Sequence, residues 1–183
     1  MRRLRVRLAI GVAVLGVVAT TAAATAGDRG KIRTWLGGYE EVPAISTAGY
    51  GSFKASLAGG GTELLYELRY ADLEGGNPTQ AHIHFAQKSV NGGISVWLCD
   101  SPTNPGPEGT PDCPASPTGM VTGTLTAASV VGPGNQGIGA GELEELVDAL
   151  RAGIAYANVH TATWPGGEIR GQLGSRRSAR HDD

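Results

Sequence analysis

Three of the four histidines in this 183-residue chain stand where strands would present them together. His82 and His84 are separated by one residue in Ala81-His82-Ile83-His84-Phe85, so on a strand both imidazoles share a face and Ala81, Ile83 and Phe85 share the other. His160 lies in Tyr156-Ala157-Asn158-Val159-His160-Thr161, where Tyr156, Asn158 and His160 alternate with Ala157, Val159 and Thr161. Two nitrogens from a His-x-His strand and a third from a neighbouring strand make a ligand set for one ion. Neutral imidazoles suit copper or zinc better than calcium or magnesium. The fourth histidine, His181, falls in the tail, outside the set.

The segment after His160 adds polar groups. Trp164-Pro165-Gly166-Gly167 is a turn, and Glu168, Arg170 and Gln172 alternate with Ile169, Gly171 and Leu173 on the far side of it. The two runs read as a hairpin with one apolar face and one carrying His, Glu and Arg. Glu168 is then available as an oxygen ligand or as a partner that orients a histidine. A second interpretation uses the same residues without a metal: Asn158, Thr161, Glu168 and Arg170 form a hydrogen-bonded polar network beside two surface histidines. Both interpretations require the strand of His82 and His84 to lie near the hairpin, which alternation alone does not dictate.

The rest of the chain supplies short strands and turns. Glycine is abundant, at 29 residues, and aromatic residues make up only 5%, which suits many strands joined by tight turns rather than a helical bundle. The clearest hairpin runs from Gly49 through Leu57, turns at Gly59-Gly60-Gly61 and returns through Glu63 to Tyr70, with Leu64, Tyr66, Leu68 and Tyr70 on one face. Further strands are expected at 31–36, 80–85, 94–98, 119–125, 154–161 and 168–173. One segment departs from period two: Leu143, Leu146, Val147 and Leu150 form a helical stripe over 142–152, with Glu142, Glu144 and Glu145 at its start and Gly153 as its stop. The Pro- and Gly-rich stretches 100–118 and 127–141 read as surface loops. The fold class is therefore all-β, an antiparallel sandwich or barrel-like domain of seven to nine strands with one short helix before the C-terminal hairpin.

Leu36-Gly37-Gly38-Tyr39-Glu40-Glu41-Val42-Pro43, Ala81-His82-Ile83-His84 and the final hairpin, in that order, resemble the chordin-type (CHRD) domain. The resemblance spans roughly residues 32–173. It implies an exported, β-rich extracellular domain and leaves the biochemical activity open. The order His-x-His, Val159-His160 and a Gly-flanked arginine also resembles, loosely, copper, zinc superoxide dismutase, another secreted β-sandwich. No histidine occurs between Phe85 and Asn158, so the bridging and zinc-loop ligands have no counterparts here.

The start of the chain reads as a secretory leader. Arg2, Arg3, Arg5 and Arg7 precede the apolar run 8–18, and Ala24-Thr25-Ala26 offers small residues for cleavage. The expected organisation is a signal peptide at 1–26, one domain at 27–174 and a disordered tail at 175–183. Loss of the leader removes four arginines and moves the formal charge from −2 to −6. A mildly acidic product lacks the basic footprint of a nucleic-acid binder and, once cleaved, has no membrane segment. Cys99 and Cys113 are the only cysteines, and in an oxidising compartment such a pair is expected to be a disulfide.

Catalytic templates fit poorly. No Gly-x-Ser-x-Gly elbow surrounds any serine, Gly59-Gly60-Gly61 lacks the Lys-Ser/Thr of a phosphate loop, and Glu40-Glu41 on a strand would point to opposite faces rather than flank one bond. The sequence thus supports a secreted module that binds an extracellular ligand, a protein, a surface polymer or a transition-metal ion, with His82, His84 and His160 as the candidate ligands in the last case. The alternative is a copper-dependent redox enzyme.

Overall fold

The computed structural model describes residues 31–174, so the expected leader with its cleavage site and the expected tail lie outside the described residues. Each alternating run becomes a strand: β1 (Lys31–Gly37), β2 (Tyr50–Ala58), β3 (Glu63–Ala71), β4 (Pro78–Phe85), β5 (Gly93–Cys99), β6 (Thr118–Leu125), β7 (Ala155–Thr161) and β8 (Ile169–Leu173). One helix, α1 (Leu143–Ala152), precedes the last two. All eight strands belong to one antiparallel sheet in the order β5-β4-β7-β8-β1-β2-β3-β6. The sheet curls into a nearly closed barrel. Its ends approach each other, and the Tyr66 hydroxyl on β3 donates to the Leu98 carbonyl on β5 at 2.6 Å.

Inside the barrel lie the apolar halves of the alternating runs. Phe53, Leu64, Leu68, Ile83, Leu98, Ile169 and Leu173 are all almost wholly buried. Burial of a large apolar side chain of this kind contributes about 1.5–3 kcal/mol each. Helix α1 adds Leu143, Leu146, Val147 and Leu150 to the core, as its spacing requires. It stops at Gly153, whose φ of 75° is left-handed and whose N–H donates to the carbonyls of Ala149 and Leu150. No helix among the described residues is long and apolar enough to cross a membrane.

The stretch 127–141 is not wholly a surface loop. Val130 and Ile138 turn inward and join the core, because the curled sheet leaves a gap that a few apolar side chains must fill. The Pro-rich stretch after β5 is held at its base by the Cys99–Cys113 disulfide. Beside that link the Asp100 N–H donates to Pro111 and the Cys113 N–H donates to Asp100.

Candidate metal centre

Strand β4 lies between β5 and β7, and this pairing brings the histidines together. His82 sits opposite Asn158, His84 opposite Tyr156 and Gln80 opposite His160, so His160 is diagonal to His82 on a shared face. That face points away from the barrel interior, where Ala81, Ile83, Ala157 and Val159 pack. It is nonetheless buried. His82 is 0% exposed, His84 8% and His160 5%, and every residue of β7 is buried. Segments 38–42, 90–92 and 164–167 supply groups that contact this face, so alternation assigned the two faces correctly but could not show that both are covered.

Two of the three rings are set by carbonyls. His84 Nδ1 donates to Gly92 at 3.0 Å and His160 Nδ1 donates to Pro165 at 3.0 Å. Because a carbonyl only accepts, each of these nitrogens carries the proton and each ring turns its Nε2 lone pair into the cluster. Backbone acceptors hold metal-binding histidines in this manner in many proteins. His82 Nδ1 lies 3.1 Å from His160 Nε2. One nitrogen from each of the three residues lies within 4.8 Å of the others. Three nitrogens sharing one ion at about 2.0–2.1 Å stand about 3.3–3.6 Å apart, so the widest separation must shorten by about 1.2–1.5 Å to close the set.

Without an ion the cluster leaves groups unsatisfied. Nε2 of His82 and Nε2 of His84 are buried with no hydrogen-bond partner. Each unpartnered buried acceptor costs on the order of 1–3 kcal/mol. Burial also keeps the rings neutral: His82 is pushed down to about 2, and His84 and His160 to about 4. A neutral imidazole is the form that binds a metal.

Aromatic and polar groups wall the cluster. The Trp97 ring meets His82 edge to face at 4.3 Å between centroids, and Tyr156 stacks on His84 at 4.8 Å with 4° between planes. The Arg170 guanidinium lies 3.4 Å from the centroid of Tyr156, a close cation–π contact. It donates to Val90 at 2.7 Å and to Asn91 at 3.1 Å, and the side chain is 1% exposed. Asn158 donates to Glu41 at 3.2 Å. Burial raises the Glu41 carboxyl to about 7, against the opposing pull of Arg170 and of the Asn158 hydrogen bond. Gly167 fits against Glu41 and Asn158 at a φ of 129°, where a Cβ would lie 2.5 Å from Asn158 Oδ1.

The expected polar network is divided in two. Asn158 and Arg170 belong to the histidine side, joined through Glu41 and Tyr156. Thr161 and Glu168 belong to a separate cluster at the far end of β7. There the fully buried Glu168 carboxylate accepts from the Thr47 hydroxyl at 2.8 Å, the Thr161 hydroxyl at 2.9 Å, the Glu74 N–H at 2.7 Å and the Gly75 N–H at 3.1 Å. Both its oxygens are occupied by this work, which ties the 47–49 and 74–75 turns to the hairpin, and no histidine is among its partners. Glu41 was the residue missed. Its neighbour Glu40 is exposed and pairs with Lys88 at 3.4 Å, so the two carboxylates do point apart, but only one enters the site. Nothing periodic marks Glu41, because it lies on an irregular turn after β1. Tyr156 was visible on the polar face by alternation.

Fold and site together define an all-β, single-sheet domain that carries a buried cluster of three histidines. The family model of the CHRD domain matches residues 32–173, and the chain belongs to that family. No curated protein and no solved structure matches the chain.

Proposed function

We propose that this protein is an exported binding module that holds one transition-metal ion, copper or zinc, on His82, His84 and His160. The observation that carries the proposal is the pair of buried, unpartnered Nε2 atoms on His82 and His84, beside a His160 ring already oriented by Pro165. A fully satisfied structural network would not leave these two nitrogens unpartnered, and one nitrogen from each of the three residues lies within 4.8 Å of the others. Export is supported by the arginine-led apolar start of the sequence and by the Cys99–Cys113 disulfide. Burial of the ligands favours holding an ion over turning over a substrate, because His82 and His160 offer almost no surface to a second molecule. The redox alternative therefore ranks below retention of the ion, and any further extracellular partner would meet the outside of the domain.

The test is a titration of metal-free mature protein with copper and with zinc, read by calorimetry and by elemental analysis after gel filtration. One equivalent per chain is expected for the wild type, with at least a hundredfold loss of affinity in His84→Ala. Equal uptake by the two proteins would leave His84 a structural residue and defeat the proposal.

A further inference from the structure

The three-histidine donor set is electrically neutral, and any preference among ions drawn from its surroundings rests on the metal-site proposal. Among the described residues the buried cation beside the cluster is Arg170, which grips one side of Tyr156 while His84 stacks on that ring. Tyr156 belongs to β7, which lies between the β4 strand of His84 and the β8 strand of Arg170, so the phenol is sandwiched between imidazole and guanidinium. The two centroid distances, 3.4 and 4.8 Å, place the guanidinium no more than about 8 Å from the imidazole centre. Its field reaches His84, where it opposes a positive charge on the ring.

Carboxylates offset it only in part. Glu168 is committed to four donors at the other end of the hairpin. Glu41, held by Asn158, and the exposed Glu40, paired with Lys88, both act on the guanidinium, and burial works against the ionisation of Glu41. The rings against the cluster are Trp97, whose indole offers no ligand atom, and Tyr156, whose hydroxyl accepts from the Gly92 N–H at 3.3 Å, so neither completes a tetrahedron. Zinc favours four ligands, whereas monovalent copper is content with two or three neutral nitrogens. Ion desolvation also rises steeply with charge, so a dry site flanked by a cation penalises a divalent ion twice.

We infer that the site selects monovalent copper over divalent ions, and that Arg170, acting through Tyr156, is the residue that sets this preference. It is a positioning and electrostatic residue, not a ligand.

The experiment measures affinity for Cu(I), buffered with bicinchoninate under nitrogen, and for Cu(II) and Zn(II), each buffered with a competing chelator, at pH 8. Ascorbate serves as reductant because a thiol would attack the disulfide. Wild-type protein is expected to prefer Cu(I). Arg170→Gln should shift the ratio of Cu(I) to Zn(II) affinity toward zinc on the order of tenfold, and Arg170→Lys should restore it. Glu41→Gln, which is isosteric and removes the opposing charge, should shift the ratio the other way and carries the test if Arg170→Gln fails to fold. Equal affinity for Cu(I) and Zn(II) in the wild type would overturn the inference while leaving the metal site standing, as would a Glu41→Gln shift toward zinc. Failure of any ion to bind would instead defeat the metal-site proposal itself.

Discussion

Acid should unfold the metal-free protein far earlier than its acidic composition suggests. The cause is the three buried histidines, which must stay neutral in the folded state but protonate freely when unfolded. A pKa lowered by folding makes a histidine a source of instability that grows as pH falls below its ordinary value of 6.5. Between pH 7 and pH 5 each histidine then removes about 1.8 kcal/mol, or about 5.5 kcal/mol for the three. Glu41 works in the opposite sense. Its carboxyl is raised from 4.5 to about 7, so the folded state binds a proton that the unfolded state lacks, and this returns about 2 kcal/mol as pH falls across the same range. The net loss is about 3 kcal/mol, a large fraction of the roughly 5–15 kcal/mol typical of a domain. The assay is urea unfolding of EDTA-stripped protein at half-unit pH steps, followed by tryptophan fluorescence. Glu41→Gln should deepen the loss to about 5.5 kcal/mol, because the compensating proton is gone. A wild-type midpoint that does not move between pH 7 and pH 5, or that rises, would refute the account of buried neutral histidines.

Two further outcomes test the groups around the site. Glu168→Gln should destabilise the fold by about 3 kcal/mol, since an amide brings a donor to a carboxylate position that accepts four hydrogen bonds, and hydrogen exchange should quicken at 47–49 and 74–75. Copper affinity should be unchanged in that variant, because Glu168 does not touch the histidines. Replacing both Cys99 and Cys113 by alanine should cost about 3 kcal/mol in urea unfolding, as expected for opening a loop with 14 residues of separation.

Much of the local structure was legible because side-chain alternation is a property of each strand by itself. Leu64, Tyr66, Leu68 and Tyr70 are buried on one face of β3, and Leu143, Leu146, Val147 and Leu150 line the buried stripe of α1, as their spacings require. Strand ends moved by a residue or two, as at β4, which begins at Pro78 rather than Gln80. The candidate site was legible in its ligands but not in its surroundings. His82 and His160 are separated by 78 positions, and their meeting depends on β4 pairing with β7, a long-range choice that no local pattern encodes. For the same reason Glu168 was grouped with the histidines. Alternation puts it on their side of the hairpin, but it stands just before β8, where its carboxylate turns to the backbone of the 74–75 turn instead. The covering segments 38–42 and 90–92 have no periodicity, so burial of the polar face left no trace in the sequence.

The strand order gives the last hairpin an unusual position in the life of the chain. Strands β7 and β8 are central in the sheet, joining the β5-β4 pair on one side to β1-β2-β3-β6 on the other. Everything synthesised before residue 155 can form only two separate pieces of sheet, each with raw edges. The histidines of β4 wait on one of those pieces until His160 arrives. A bound ion would therefore distinguish a finished molecule from an interrupted one, and its uptake would seal the seam where the two halves were joined.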